Sequence, residues 1–200
     1  MNRFQVTLIF HSEWHVGSGE EGGAYADALV LKDSLNLPYL PGKALKGLFR
    51  DAFVTACENG WFAGVLNSQV VASLFGHEGE KEQANAALSF CNAQLSAPEQ
   101  AYFQQNPEQT RHLYRVHHST AIDSQTGVAL KTSLRALEVA VPVVLYAQIE
   151  VDVARLEHAV AASIGEWLDA CSALIFELGA KRTRGLGQVS LSIAPQGVTG

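Results

Sequence analysis

The sequence is short of cysteine, of charge and of long apolar runs. Its three cysteines, Cys57, Cys91 and Cys171, are scattered and show no C-x-x-C spacing. That pattern excludes a disulfide framework and a thiolate metal site, and it points to a reducing compartment such as the cytosol. No apolar run approaches the length of a membrane span, so no membrane partner is expected. The stretch Met1 to Phe10 alternates polar and apolar residues where a signal peptide would carry an apolar block. Only 17% of the 200 residues are charged, and acidic side chains outnumber basic ones 20 to 14. Such a balance argues against a generally basic nucleic-acid binder.

What is there changes that reading. A hydrophobic content of 48% suffices for a full core, so one domain carrying a large insertion is expected and disorder is not. The net charge of −6 is also unevenly spread. Residues 32–50 carry four basic groups and one acid, residues 111–135 four and one, and residues 179–187 three and none. These windows hold +9 between them and leave −15 for everything else. A basic track on an acidic body attracts a phosphate backbone through its local field, whatever the global charge.

The first window contains the stretch from Leu37 to Arg50, a Pro-rich turn running into an amphipathic helix. At about 100° per residue Lys43, Lys46 and Arg50 share one sector, opposite Leu45, Leu48, Phe49 and Ala52. The turn places this cationic stripe at a helix N-terminus, whose N–H groups and dipole favour an anion. A surface helix kept wet by its lysines would look the same. The second basic loop, Gly179 to Gly187 with Lys181, Arg182 and Arg184, shifts the balance towards a polyanion.

Periodicity orders the rest. Phe4 to Phe10 alternates as a strand. Gly17-Ser18-Gly19-Glu20-Glu21-Gly22 fits G-x-G-x-x-G formally, but no helix follows and two glutamates would face a pyrophosphate, so a dinucleotide site is rejected. A flexible loop then delivers Asp27 to the edge of an extended segment. Helices are expected at Gly42–Glu58 and Phe62–Leu74, a polar loop at 77–86, and a strand at Ala87–Leu95. Residues 96–136 read as a long polar excursion, followed by a strand at Val139–Val153. A helix over Leu156–Ile175, the basic loop, a strand at Gln188–Ile193 and a loose tail from Pro195 complete the chain. The order predicts an α+β, ferredoxin-like β-α-β-β-α-β arrangement with an elaborated connection between its second and third core strands.

Five segments together carry a family likeness: His15-Val16-Gly17-Ser18-Gly19; Asp27 ahead of Pro38-Tyr39-Leu40-Pro41-Gly42-Lys43-Ala44-Leu45-Lys46-Gly47; Ile122 to Ala129; Glu138; and Gly179 to Gly187 before a strand. In order and spacing they resemble the RAMP superfamily of CRISPR-associated proteins, most closely the backbone subunit of type III (Csm/Cmr) effector complexes. The resemblance implies an RRM-related palm, with 96–136 as a thumb-like excursion inside a single domain at 1–200. It implies a cytoplasmic ribonucleoprotein whose partners are a CRISPR RNA guide, complementary target RNA, further copies of the chain and other effector subunits. It also implies that Asp27 supports cleavage of target RNA as the catalytic residue and as the ligand of Mg2+ or another divalent cation. RNA contacts would come from His15, Ser18, Lys43, Lys46, Arg50, Arg111, Arg115, Lys181, Arg182, Arg184 and Gly185. The chain departs from the family where small hydroxyl residues after Pro-Gly are replaced by Lys43 and Ala44, and where a basic thumb residue is replaced by Ser124.

The chemistry of the residues is compatible with this. A 2′-hydroxyl held in line attacks its own phosphate without a protein nucleophile, and one carboxylate can hold a hydrated Mg2+. A lone loop aspartate is otherwise a turn-former or cap. His15 could donate to phosphate or move a proton, and equally could be a bonded loop residue. Adjacent His117 and His118 in an extended segment point to opposite faces and make a two-histidine metal site improbable. Tyr102, Phe103 and Tyr114 could stack on bases or pin the insertion, whereas Trp167 lies on an apolar stripe. Asp33, Asp51 and Asp123 read as structural. A non-cleaving scaffold and a guide-processing ribonuclease centred on histidine stay open as alternatives. The decisive expectation is geometric: both cationic segments should meet in one groove with Asp27 at its rim.

Overall fold

A computed structural model of the chain describes residues 1–62, 65–76 and 86–196. Residues 63–64 of the second expected helix, nearly all of the expected loop at 77–86 and the last four tail residues lie outside the described part. Alternation builds the main sheet from β1 (Asn2–Phe10), β2 (Leu88–Phe90), β5 (Val144–Val151) and β6 (Val189–Gln196), in the order β2-β5-β1-β6 with antiparallel neighbours. Phe4, Val6, Leu8 and Phe10 of β1 and Leu145, Ala147, Ile149 and Val151 of β5 are buried on one face. The register sets Val6 opposite Ala147 and Ile193, so these residues form one apolar floor.

Two helices cover that floor. Helix α1 (Gly42–Glu58) buries Leu45, Phe49, Ala52, Phe53 and Ala56, the three-and-four spacing of a core-facing stripe. Helix α4 (His158–Ser172) buries Val160, Ile164, Trp167, Leu168 and Cys171 in the same way. Both belong to one hydrophobic cluster with the sheet. Trp167 stacks on Phe62 at 5.1 Å, so its role is packing, as expected. Strand, helix, strand, strand, helix, strand in this sheet order is the ferredoxin-like arrangement.

Four expectations are corrected. The second helix, α2, is shorter, Ser68–Phe75: Phe62 takes a positive φ of 58°, and Asn67 starts the helix by accepting from the N–H groups of Gln69 and Val70. The polar excursion is not irregular, because α3 (Ala97–Gln105) opens it with a Ser96–Glu99 capping box and a 3-10 turn follows at Pro107–Leu113. The stretch Val139–Val153 is not one strand. Its first residues end β4 (Arg135–Ala140), which pairs antiparallel with β3 (Tyr114–Ser119) as a separate hairpin, and Val141-Pro142-Val143 breaks the chain before β5. The strand expected at Ala87–Leu95 is only β2 plus bridges at Ala93 and Gln94.

Candidate nucleic-acid interface

Asp27 lies where the loop leaving β1 returns to the hairpin. Its N–H donates to the Ala136 carbonyl at 2.8 Å, and Glu138 N–H donates to the Ala28 carbonyl at 3.0 Å. Its Oδ2 accepts from Ala136 N–H at 2.7 Å. The carboxylate is therefore fixed against β4 while the residue stays exposed.

The basic loop reaches the same place from the other end of the chain. Gly187 N–H donates to the Glu13 carbonyl and Ala180 N–H to the His15 carbonyl, each at 2.8 Å. Between these anchors Arg182–Arg184 form a 3-10 turn, entered through Lys181 at φ 62° and left through the exposed Gly185 at φ 79°. Lys181 and Arg184 thereby line a cleft of about 630 Å³ with Asp27, His117, His118 and Arg135. Lys181, Arg184 and Arg135 enter no ion pair among the described residues, and Asp27 is the acid on the cleft wall. Such a wall binds an anion while presenting one carboxylate to it.

The decisive expectation is met by one cationic segment and not by the other. Arg182 turns away from the cleft into a hollow beside Leu48, Asp51 and Thr55 of α1. At 100° per residue Lys43, Lys46 and Arg50 lie on the other flank of that helix. None of the three lines the cleft. The stripe and the loop thus occupy two faces, and the single groove is corrected to two basic tracks. The helix N-terminus is not an open anion site either: Gly42 N–H donates to Asn92 Oδ1 at 2.8 Å, and Ala44 and Leu45 N–H both donate to the Pro41 carbonyl. Burial, followed by repulsion from Arg50, lowers the pKa of Lys46.

Other expected contacts are internal. His15 is 4% exposed, and its Nδ1 donates to the Glu138 carbonyl at 2.6 Å. It spaces the basic loop from the hairpin and is corrected from an RNA contact to a buried strut. The Ser18 hydroxyl donates to the Leu29 carbonyl at 3.3 Å and accepts from Glu20 N–H at 3.1 Å, holding its own loop. Arg115 is paired with Glu13 at 2.9 Å, and Glu13 also meets His117 Nε2 at 2.7 Å. Arg111 is exposed on the 3-10 turn, with Nε 3.3 Å from His112, and does not line the cleft. Asp33 and Asp123 hold turns as expected: Asp33 Oδ1 accepts from Leu35 and Leu37 N–H, and hydrogen bonds from Thr126 and Gln125 N–H hold the Asp123 carboxyl below its ordinary pKa. Tyr114 pins the insertion by donating to the Asn36 carbonyl at 2.7 Å, with burial and then nearby Glu138 raising its pKa. Tyr102 stays exposed against Phe103.

Sequence reasoning missed Arg135 and Glu13 and marked Glu138 only as part of the family likeness, because Glu13 and Glu138 act through partners far away in sequence and Arg135 reaches the cleft only through the fold. Among the described residues, no three His, Cys, Asp or Glu side chains gather as a metal-binding group. The residues present fit only a hydrated divalent cation, held by Asp27 together with phosphate oxygens.

A family model described as the RAMP superfamily matches residues 7–190. The chain belongs to the RAMP superfamily. Two solved chains are similar to this RAMP protein in fold. One is from a cryo-EM structure of the Type III-B Cmr-beta complex bound to cognate target RNA, with a TM-score of 0.69 and 11% identity over 96% of each chain. The other is from Type III-B Cmr-beta in the apo state, with a TM-score of 0.66 and 13% identity over 96% of this chain and 97% of that one. Compared with curated protein sequences, the RAMP chain matches none. No helix among its described residues is long and apolar enough to cross a membrane.

Proposed function

We propose that this RAMP protein is a subunit of a type III CRISPR effector complex that holds guide RNA and cleaves complementary target RNA at Asp27. The observation that carries the reading is the cleft in which Asp27 and three cations with no ion-pair partner among the described residues, from the basic loop and the hairpin, converge. In this reading Lys181, Arg184 and Arg135 bind the phosphates flanking the scissile bond, and the target's 2′-hydroxyl attacks its own phosphorus. The bond to the 5′ oxygen breaks, the hydroxyl gives up its proton and the departing oxygen gains one. Catalysis is then positioning plus charge compensation. A divalent cation on Asp27 would stabilise the developing phosphorane charge. The separate stripe of Lys43, Lys46 and Arg50 serves the guide strand, because two strands need two tracks. The excursion at 96–136, which supplies β3 and the start of β4, is the thumb.

The test assembles the complex around a guide with Asp27→Ala and supplies complementary RNA and Mg2+. Guide loading is expected to hold and cutting to be lost at one or more positions. Cutting that persists in the variant overturns the assignment. A scaffold reading, in which the subunit coats the guide without cutting, is favoured by one observation: Asp27 Oδ2 already accepts a backbone hydrogen bond, as a purely structural aspartate would. A wild-type complex that binds target and never cuts it would decide for the scaffold.

A further inference from the structure

Glu138 is 1% exposed, so its carboxylate must be compensated inside the fold. Its partners come from the segment that carries Asp27. Oε2 accepts from Val30 N–H at 3.0 Å and Oε1 accepts from Lys32 Nζ at 2.8 Å, while burial and then the charge of Glu138 raise the pKa of Tyr25. Lys32 in turn lies 4.0 Å over the Tyr114 ring. The carboxylate therefore grips the Asp27 segment on its downstream side, at Val30 and Lys32. The backbone pairing of this segment with β4 is sparse: Asp27 N–H to Ala136, Glu138 N–H to Ala28, and the bridge between Ala28 and Leu137. Glycine-rich turns at 17–23 leave the segment little stiffness of its own.

We propose that Glu138 is a positioning residue for Asp27: its buried carboxylate fixes the register of residues 27–32 on β4 and so sets where the Asp27 carboxylate meets the cleft. The assignment rests on the cleavage reading of Asp27. It also explains why an acid stands inside a strand whose neighbours, Val139 and Ala140, are core residues. An apolar residue there would leave Val30 N–H and the Lys32 ammonium without their acceptor.

The test compares Glu138→Gln, Glu138→Ala and the double variant Glu138→Gln with Lys32→Met in guide-loaded complexes. Glutamine still accepts the Val30 N–H but strands the ammonium, and the double variant removes both charges together. Expected for Glu138→Gln are target affinity within about twofold of wild type, single-turnover cutting slowed about tenfold or more, and faster hydrogen exchange at the amides of Asp27 and Val30. The double variant should regain most of the rate and the protection, and Glu138→Ala should regain neither. A rescue of rate at constant affinity is not what general destabilisation produces, because that lowers binding and cutting together. Unchanged exchange at 27–30 in both single variants overturns the proposal, as does a loss of cutting matched by an equal loss of affinity. If Asp27→Ala still cuts, the cleavage reading fails on its own, and the exchange data alone then judge the grip of Glu138.

Discussion

Replacing Gly187 by alanine probes the joint that sets the basic loop against the cleft. Gly187 has φ 78°, a left-handed conformation that costs an alanine about 1 kcal/mol. A Cβ there would also run into the Leu178 carbonyl oxygen. Relief of that overlap must pull apart two backbone hydrogen bonds, Leu178 N–H to the Gly187 carbonyl at 2.9 Å and Gly187 N–H to the Glu13 carbonyl at 2.8 Å. At about 1 kcal/mol each, these raise the cost to about 3 kcal/mol. Gly185 supplies the control, since its φ is 79° and a Cβ there meets nothing within 4 Å. Its alanine variant is expected to lose only the conformational term of about 1 kcal/mol. For a chain of this size each kcal/mol lowers Tm by about 2–4 °C. Gly187→Ala should therefore melt about 6–12 °C below wild type and Gly185→Ala about 2–4 °C below it, by differential scanning calorimetry of the same preparation. Equal shifts in the two variants would refute the reasoning, because backbone conformation would then be the whole cost and the close approach to Leu178 none of it.

Truncating Lys181 and Arg184 together to alanine should weaken binding of target RNA and reduce the slope of log affinity against log salt by about 1.4, the effect of two lost phosphate contacts on a single strand; a titration at several salt concentrations reads this, and an unchanged slope removes the cleft from the binding site. Charge reversal of Lys43 should instead lower the guide RNA that copurifies while leaving the melting temperature within about 2 °C of wild type, since Lys43 is exposed on α1. Asn92→Ala should cost about 1–3 kcal/mol in urea unfolding by leaving the buried Gly42 N–H without its acceptor. Burial pushes the Cys171 thiol up to about 12, so at pH 8 iodoacetamide should label the exposed Cys91 in the folded protein and reach Cys171 only on unfolding.

The order of core elements was readable because burial leaves a period in the sequence. The alternation of Phe4, Val6, Leu8 and Phe10 and the α1 stripe marked the two layers directly, and α1 begins and ends where Pro41-Gly42 and Asn59-Gly60 said it would. Two errors came from local signals that were present and not weighed. Ser96-Ala97-Pro98-Glu99 is a capping box with an early proline and announces α3. Pro142 between two valine-rich stretches cannot donate to a ladder and announces the break between β4 and β5. The site was readable only in part. The glycine-rich basic loop stood out by residue type and Asp27 by the family resemblance, but their meeting depends on bonds between positions about 165 residues apart in the chain, such as Ala180 to His15. Helical phase alone could not say which flank of α1 the loop would approach.

The charge pattern resolves once each cation is assigned a partner. Of the first window, Lys32 belongs to Glu138 and sits in the fold. Of the second, Arg115 belongs to Glu13, which also binds His117 and keeps the foot of the hairpin close to neutral. These ion pairs are structural, joining the chain after β1 to the hairpin. Among the cations left, Arg135, Lys181 and Arg184 share the cleft with Asp27. An anion entering there meets three uncompensated positive charges and one negative, whereas over the rest of the molecule it meets an excess of acid. In the proposed reading the acidic body works as a guide in its own right: it repels a phosphate backbone away from the basic loop, the hairpin and α1, and the contrast strengthens as ionic strength falls. Net charge and local field are therefore set by different residues, so a net charge of −6 does not oppose the proposed binding of a polyanion.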